Sequence, residues 1–153
     1  MRHLVVDVQV VMIGAGLSDP PDDGSCHQLL KTLRDGPDNR LVWDAGGLIQ
    51  SQYEAKLKPQ TFGKDWLTDM LVRNKVTSVP RKTLTKRQKV KVRETGLVGE
   101  DLNYYVRTAM SSPDERLVSQ DSDYDAATCR TLRKELGVVV SDAREGAAFL
   151  GSS

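Results

Sequence analysis

The chain has 153 residues, 39% of them hydrophobic and 28% charged, with 22 Lys and Arg against 21 Asp and Glu. That size and balance suit one compact domain over residues 1–150 with a short tail at 151–153, burying about 68–70% of the unfolded surface. Repeats and low-complexity tracts are absent from the sequence, and its two cysteines, Cys26 and Cys129, are too few for a disulfide framework, which points to a reducing, cytoplasmic setting.

Residues 4–16 (LVVDVQVVMIGAG) are the first apolar run. They could pass for a signal-peptide core, but Asp7 and Gln9 interrupt them and the stretch is too short to span a bilayer, so no membrane association is expected. The run reads as a buried strand. Further short runs, each ending on an aspartate, follow at 41–44 (LVWD), 117–121 (LVSQD) and 138–142 (VVVSD), with a weaker one at 76–79 (VTSV). Between them lie helical spacings: Leu29, Leu30 and Leu33 before Gly36; Ile49, Tyr53 and Leu57; Trp66, Leu67, Met70 and Leu71; Leu102, Tyr105, Val106 and Ala109; Cys129, Leu132 and Leu136 before Gly137. Residues 19–25 and 34–39 read as loops. Apolar runs without strict alternation suit strands covered on both faces. The expected fold class is therefore α/β, a three-layer α/β/α arrangement around a mostly parallel central sheet of four to five strands.

In such a sheet, ligands bind beyond the carboxyl ends of the strands, where the aspartates gather. Many of these acids have a structural alternative, because Asp is a preferred helix N-cap. Asp142 with Glu145 has capping-box spacing, and Asp44 also precedes a helix. Asp7 is different: it lies inside an apolar run, where a carboxylate must be compensated by a cation, a buried Arg or a hydrogen-bond network. Asp101 opens the pattern DLNYYVRTAM, so capping competes with metal binding there. Of Asp121 and Asp123, one is expected to cap a helix from about residue 124 to 136, leaving the other over. Acids converging on one rim repel by about 1 kcal/mol per pair at 4 Å in water, and about 4 at an effective dielectric near 20, so a cation is what would hold an ionised cluster together. Oxygen ligands without His or Cys favour Mg²⁺ or Mn²⁺.

From Arg73 to Arg93 there are nine Lys or Arg residues and no acid. Arg81, Lys82, Lys86, Arg87, Lys89, Lys91 and Arg93 are the candidate contacts to a phosphate backbone, against the alternative of a solvated helix face or a flexible arm. Other signatures are weaker. In VVMIGAGLSD the third glycine of a dinucleotide loop is replaced by Asp19, and Pro20-Pro21 obstruct the helix that should follow; Gly63-Lys64 lacks the rest of a phosphate loop. Cys26 and His27, adjacent on a helix, point about 100° apart and do not make a nucleophile and base.

Taken in order, these motifs resemble the PIN-like domain family of metal-dependent nucleases. Residues 4–7 (LVVD) are similar to its first strand and leading acid, Glu100-Asp101 to the acid before the fourth strand, residues 117–124 (LVSQDSDY) to that strand and its acidic tip, and 136–140 (LGVVV) to the last strand. The resemblance implies an Mg²⁺- or Mn²⁺-dependent ribonuclease cleaving single-stranded or structured RNA, with Asp7, Asp101 and Asp121 as metal ligands and Asp123 binding directly or through water. An inhibitor or other partner protein, or a homodimer, would suit such a nuclease. Two features depart from the family pattern. Val8 and Gln9 follow Asp7 where small polar residues are usual, and Gln52 stands before Tyr53 where relatives often carry Glu. Helical geometry puts Gln52 beside the apolar stripe of Ile49, Tyr53 and Leu57, and Glu54 on the solvent row with Lys58 as its expected partner. Gln52 is thus expected to orient water beside the metal without supplying charge. The alternative implied by that residue is a degenerate module that binds RNA or protein without cutting.

Overall fold

The computed structural model describes residues 1–17, 22–59 and 61–151. Asp19, Pro20 and Pro21 of the first expected loop, and the last two residues of the expected tail, lie outside the described residues. Five strands form one sheet: β1 (Arg2–Val6), β2 (Asn39–Asp44), β3 (Val76–Val79), β4 (Arg116–Val118) and β5 (Val139–Ser141). Their order is β3-β2-β1-β4-β5, and every pairing is parallel, with Leu4 opposite Leu41 and Val6 opposite Val118. Leu4, Val5, Val6, Leu41, Val42, Leu117 and Val118 are wholly buried, as expected of strands covered on both sides.

The first apolar run departs from the expected single strand. β1 stops at Val6 and a helix, α1 (Val8–Gly14), follows at once, with Asp7 as its N-cap. Val8, Val10, Val11 and Gly14 are buried while Gln9 is exposed, a spacing of three and four that belongs to a helix. Valine's preference for strands is overridden here because the cap and one-sided burial act together.

The remaining helices are α2 (Ser25–Asp35), α3 (Leu48–Lys56), α4 (Phe62–Val72), α5 (Lys86–Thr95), α6 (Arg107–Ser111), α7 (Ala126–Thr131) and α8 (Ala143–Gly151). Two π-helical segments, Asp101–Val106 and Leu132–Leu136, adjoin α6 and α7. α2, α4 and α8 pack together on one face; α6 crosses β1, β2 and β4 on the other, where α5 meets α7. The layers touch closely at Gly146, where a Cβ would lie 2.7 Å from Val118 Cγ2, so only glycine lets α8 settle on β4 beside Leu29. Among the described residues no helix is long and apolar enough to cross a membrane.

Two acids take the structural role open to them. Asp44 accepts hydrogen bonds from the backbone N–H groups of Leu48 and Ile49 at 3.0 and 2.8 Å, and so satisfies the start of α3 from outside the helix, where Gly47 holds the cap position. Asp142 and Glu145 form the expected reciprocal capping box at the start of α8. Going outward from β1, the chain runs one way through β2 and β3 and then returns to β4 and β5. The order therefore reverses between β1 and β4, the place where parallel sheets open a crevice at their carboxyl ends.

Candidate metal centre

Asp7 follows β1 directly at that crevice and is only 3% exposed. Its Oδ1 accepts from the Gln9 N–H at 3.1 Å and its Oδ2 from the Ser119 hydroxyl at 3.2 Å. Ser119 Oγ in turn accepts the Asp121 N–H at 3.1 Å, so one serine at the end of β4 ties the acid of β1 to the acid beyond β4. Asp121 Oδ1 accepts from the Asp123 N–H at 2.9 Å, closing a turn that holds its carboxylate inward. Asp101 enters from the other side, on the first π-helical segment. The cap position of that segment is Glu100, not Asp101, and the Asp101 carboxylate reaches the crevice. A π turn is a wider turn than an α turn and is frequent at functional sites.

These elements bring one carboxylate oxygen each from Asp7, Asp101 and Asp121 within 4.8 Å of one another. The pocket above them encloses about 290 Å³, with Gln9, Gln52, Lys56, Val98 and Glu100 in its walls. Among the described residues no ion pair reaches any of the three acids. Burial pushes the Asp101 carboxyl up to about 6, and the negative charges of Asp7, Asp121, Asp123 and Glu100 push the same way. Asp7 is also raised, by burial first. The Gln9 amide and the Ser119 hydroxyl oppose that rise, while Asp121 and Glu100 add to it. Three oxygen donors that no ion pair engages make a donor set that fits a hard divalent ion such as Mg²⁺ or Mn²⁺.

No family model matches the chain, and no curated protein does.

Asp123 stands apart from the trio: its side chain is exposed, although its charge reaches Asp101. Neither Asp121 nor Asp123 caps the following helix, as expected of one of them. Asp125 does so, accepting the Thr128 N–H at 2.8 Å, and that bond holds its carboxyl below the usual range. The helix begins two residues later than its apolar spacing suggested, because residues 121–124 are used to turn Asp121 inward.

Gln52 faces the pocket as the helical spacing required, but its amide is already engaged. The Tyr105 hydroxyl donates to Gln52 Oε1, and Gln52 Nε2 donates to Glu100 Oε2. Burial, followed by the negative charge of Asp7, raises Tyr105, so the phenol keeps its proton and acts as a donor. Its oxygen also accepts the Val8 N–H at 3.2 Å. Among the pocket residues to which sequence reasoning gave no role of their own are Tyr105, Glu100, Lys56 and Val98. The available signals were a tyrosine on an apolar helix face, whose hydroxyl needs a partner, and a second acid adjacent to Asp101. Glu54 is exposed as expected but accepts from Gln50 Nε2 at 3.1 Å instead of pairing with Lys58, since α3 ends at Lys56.

The basic stretch divides into parts with different tasks. Lys75, on the way into β3, is 5% exposed and donates to the carbonyls of Arg34 and Gly36; burial lowers its pKa. Arg81 donates to the Asn103 carbonyl, and the Lys82 carbonyl accepts from Arg107. Lys86, Arg87, Lys89, Lys91 and Arg93 belong to α5, a helix fixed by a capping box between Thr85 and Gln88. Arg87 pairs with Glu135 at 3.5 Å. Lys86, Lys89 and Arg93 are exposed.

Proposed function

We propose that the chain is a PIN-like, metal-dependent ribonuclease that hydrolyses phosphodiester bonds of RNA in the cytoplasm. The observation that carries this reading is the meeting of Asp7, Asp101 and Asp121 at the crevice between β1 and β4, none of them held in an ion pair among the described residues. A bound Mg²⁺ or Mn²⁺ would neutralise the acids, acidify an attacking water and steady the leaving oxygen.

The chain's own residues would hold this arrangement rigid. Ser119 and the Gln9 amide fix Asp7, the 121–123 turn aims Asp121, and the π segment presents Asp101. Tyr105 and Gln52 hold Glu100 at the edge of the pocket, where its carboxylate offers charge near the position at which Gln52 has none. The cations of α5 would draw the phosphate backbone toward this edge, an attraction that weakens with salt. In-line attack would break the bond to the 3′ oxygen and leave 5′-phosphate and 3′-hydroxyl ends.

The test is incubation of single-stranded RNA with the protein and Mn²⁺. Wild type should cleave, and Asp7→Asn should lose at least about 100-fold, since even supporting residues of metal sites cost 10–100-fold. Equal cleavage by the two proteins would end this assignment. Gln52 favours a second reading, a module that binds RNA or a protein partner without cutting, because its uncharged amide is occupied by Tyr105 and Glu100. That module would retain salt-sensitive RNA binding and show no change of melting temperature in millimolar Mn²⁺.

Gln52→Glu separates the two further. Without metal it sets a second carboxylate against Glu100 and should cost about 1 kcal/mol. With Mn²⁺ the thermal stabilisation should exceed that of wild type if the pocket binds a cation, and should stay absent if it does not.

A further inference from the structure

A second, apolar pocket opens beside the acidic one. α5 places Lys89, Val92 and Arg93 on one side at three- and four-residue spacing. Gly96, at φ 79°, ends the helix and turns the chain back, and Gly99, at φ 68°, turns it again toward Glu100. Between these two left-handed glycines the chain lays Leu97 into the floor beside Val92, both nearly inaccessible, and leaves Val98 71% exposed. Leu84 and Leu102 complete the walls around about 180 Å³. Val98 also lines the acidic pocket, so the two cavities are neighbours across one side chain.

We infer that this pocket receives an unpaired base of the RNA strand, next to the phosphate held over the acidic site. The inference rests on the ribonuclease reading for the polarity of its ligand. Four properties point to that occupant. At about 180 Å³ the cavity is smaller than the roughly 300–1,000 Å³ that takes a whole small-molecule ligand, and suits one ring system. Its aliphatic lining gives a dry contact for a ring face, and the Arg93 guanidinium at its edge is a plane on which bases stack. Lys89 and Arg93 complement the phosphates flanking such a base, and the shared Val98 sets the base within one nucleotide of the acids. Side-chain hydrogen-bonding groups other than these two cations are absent from the lining, so base identity would be read weakly and base unpairing strongly. A duplex keeps its bases stacked inside and could offer only its backbone.

The experiment measures binding in EDTA, so that it stands whether or not the acids prove to cut. Wild type is titrated with a labelled single-stranded RNA, with an abasic ribose-phosphate oligomer of equal length, and with the corresponding duplex. The single strand should bind about tenfold more tightly than either of the others, the scale of one stacked base. Leu84→Trp, which fills the cavity with apolar bulk, and Val98→Asp, at a position that is exposed and carries little packing, should each reduce the preference to near unity while leaving abasic binding within about twofold for Leu84→Trp. Equal affinity for all three ligands overturns the inference, as does a preference that survives both substitutions. Sedimentation velocity covers the other occupant: a wild-type dimer that Val98→Asp turns into monomer would assign the pocket to a second copy of this chain and also overturn it. Loss of Mn²⁺-dependent cleavage with the single-strand preference intact would remove the ribonuclease reading and leave the base pocket standing.

Discussion

Asp101→Asn is expected to stabilise the metal-free protein and to remove most of its response to Mn²⁺. In the folded chain the Asp101 carboxyl is raised from 3.8 to about 6, by burial first and by Asp7, Asp121, Asp123 and Glu100 after it. An acid raised in this way binds more protons when folded than when unfolded, so its contribution to stability is complete below about 4 and is lost as the pH climbs through about 6. The melting temperature of metal-free wild type should therefore fall across that window, and the fall should be smaller in Asp101→Asn. At neutral pH the substitution removes one charge from a repelling trio. The site is open to solvent on one side, so the lower end of the Coulomb range applies, about 1 kcal/mol, or about 2–4 °C for a chain of this size. Divalent ions compete with the same protons, so the apparent affinity of wild type for Mn²⁺ should rise with pH up to about 6 and level off beyond it. Thermal scans with and without Mn²⁺ at several pH values measure all of this. An identical Mn²⁺ response in variant and wild type would show that the trio holds no cation.

Trp66→Ala should produce the largest loss of stability. Trp66 is wholly buried in α4 and its indole N–H donates to the Leu30 carbonyl of α2 at 2.7 Å. Truncation leaves a cavity between those helices and typically costs 3–5 kcal/mol, a large share of the 5–15 kcal/mol that holds a domain together. The melting temperature should drop by roughly 10 °C. Trp66→Phe should lose less, because it keeps most of the buried area and gives up only the hydrogen bond and the second ring. The acids are positioned from the carboxyl ends of β1 and β4 and from the π segment. Trp66→Ala should therefore keep the full Mn²⁺ response at temperatures where it is folded, which separates a defect of packing from a defect of the site.

Much of the architecture was legible because the chemistry that forms each element is local. All five apolar runs contain a strand, the first only as far as Val6, since branched residues without strict alternation suit a sheet buried on both faces. The reciprocal cap of α8 was visible as Asp142 with Glu145, whereas that of α5, Thr85 with Gln88, was not read in the sequence, and it makes residues 86–95 of the basic region a helix instead of an arm. The short run after Asp7 was misread because seven residues with five apolar side chains are compatible with either period, and burial on one side decided for the helix.

The sequence by itself determined the alternation of strand and helix, and therefore that the acids ending the strands would share one rim. Only the tertiary structure decided which of them meet. Asp44, Asp125 and Asp142 turn to nearby backbone N–H groups, whereas Ser119 joins Asp7 to the β4 end across 112 residues. The reversal of strand order then leaves room for Asp101 to close the trio. Separation in sequence also hid the Tyr105, Gln52 and Glu100 chain, because a hydrogen bond between elements leaves no spacing to read. Periodicity reports which side of an element is buried; what lies opposite that side depends on how the elements pack.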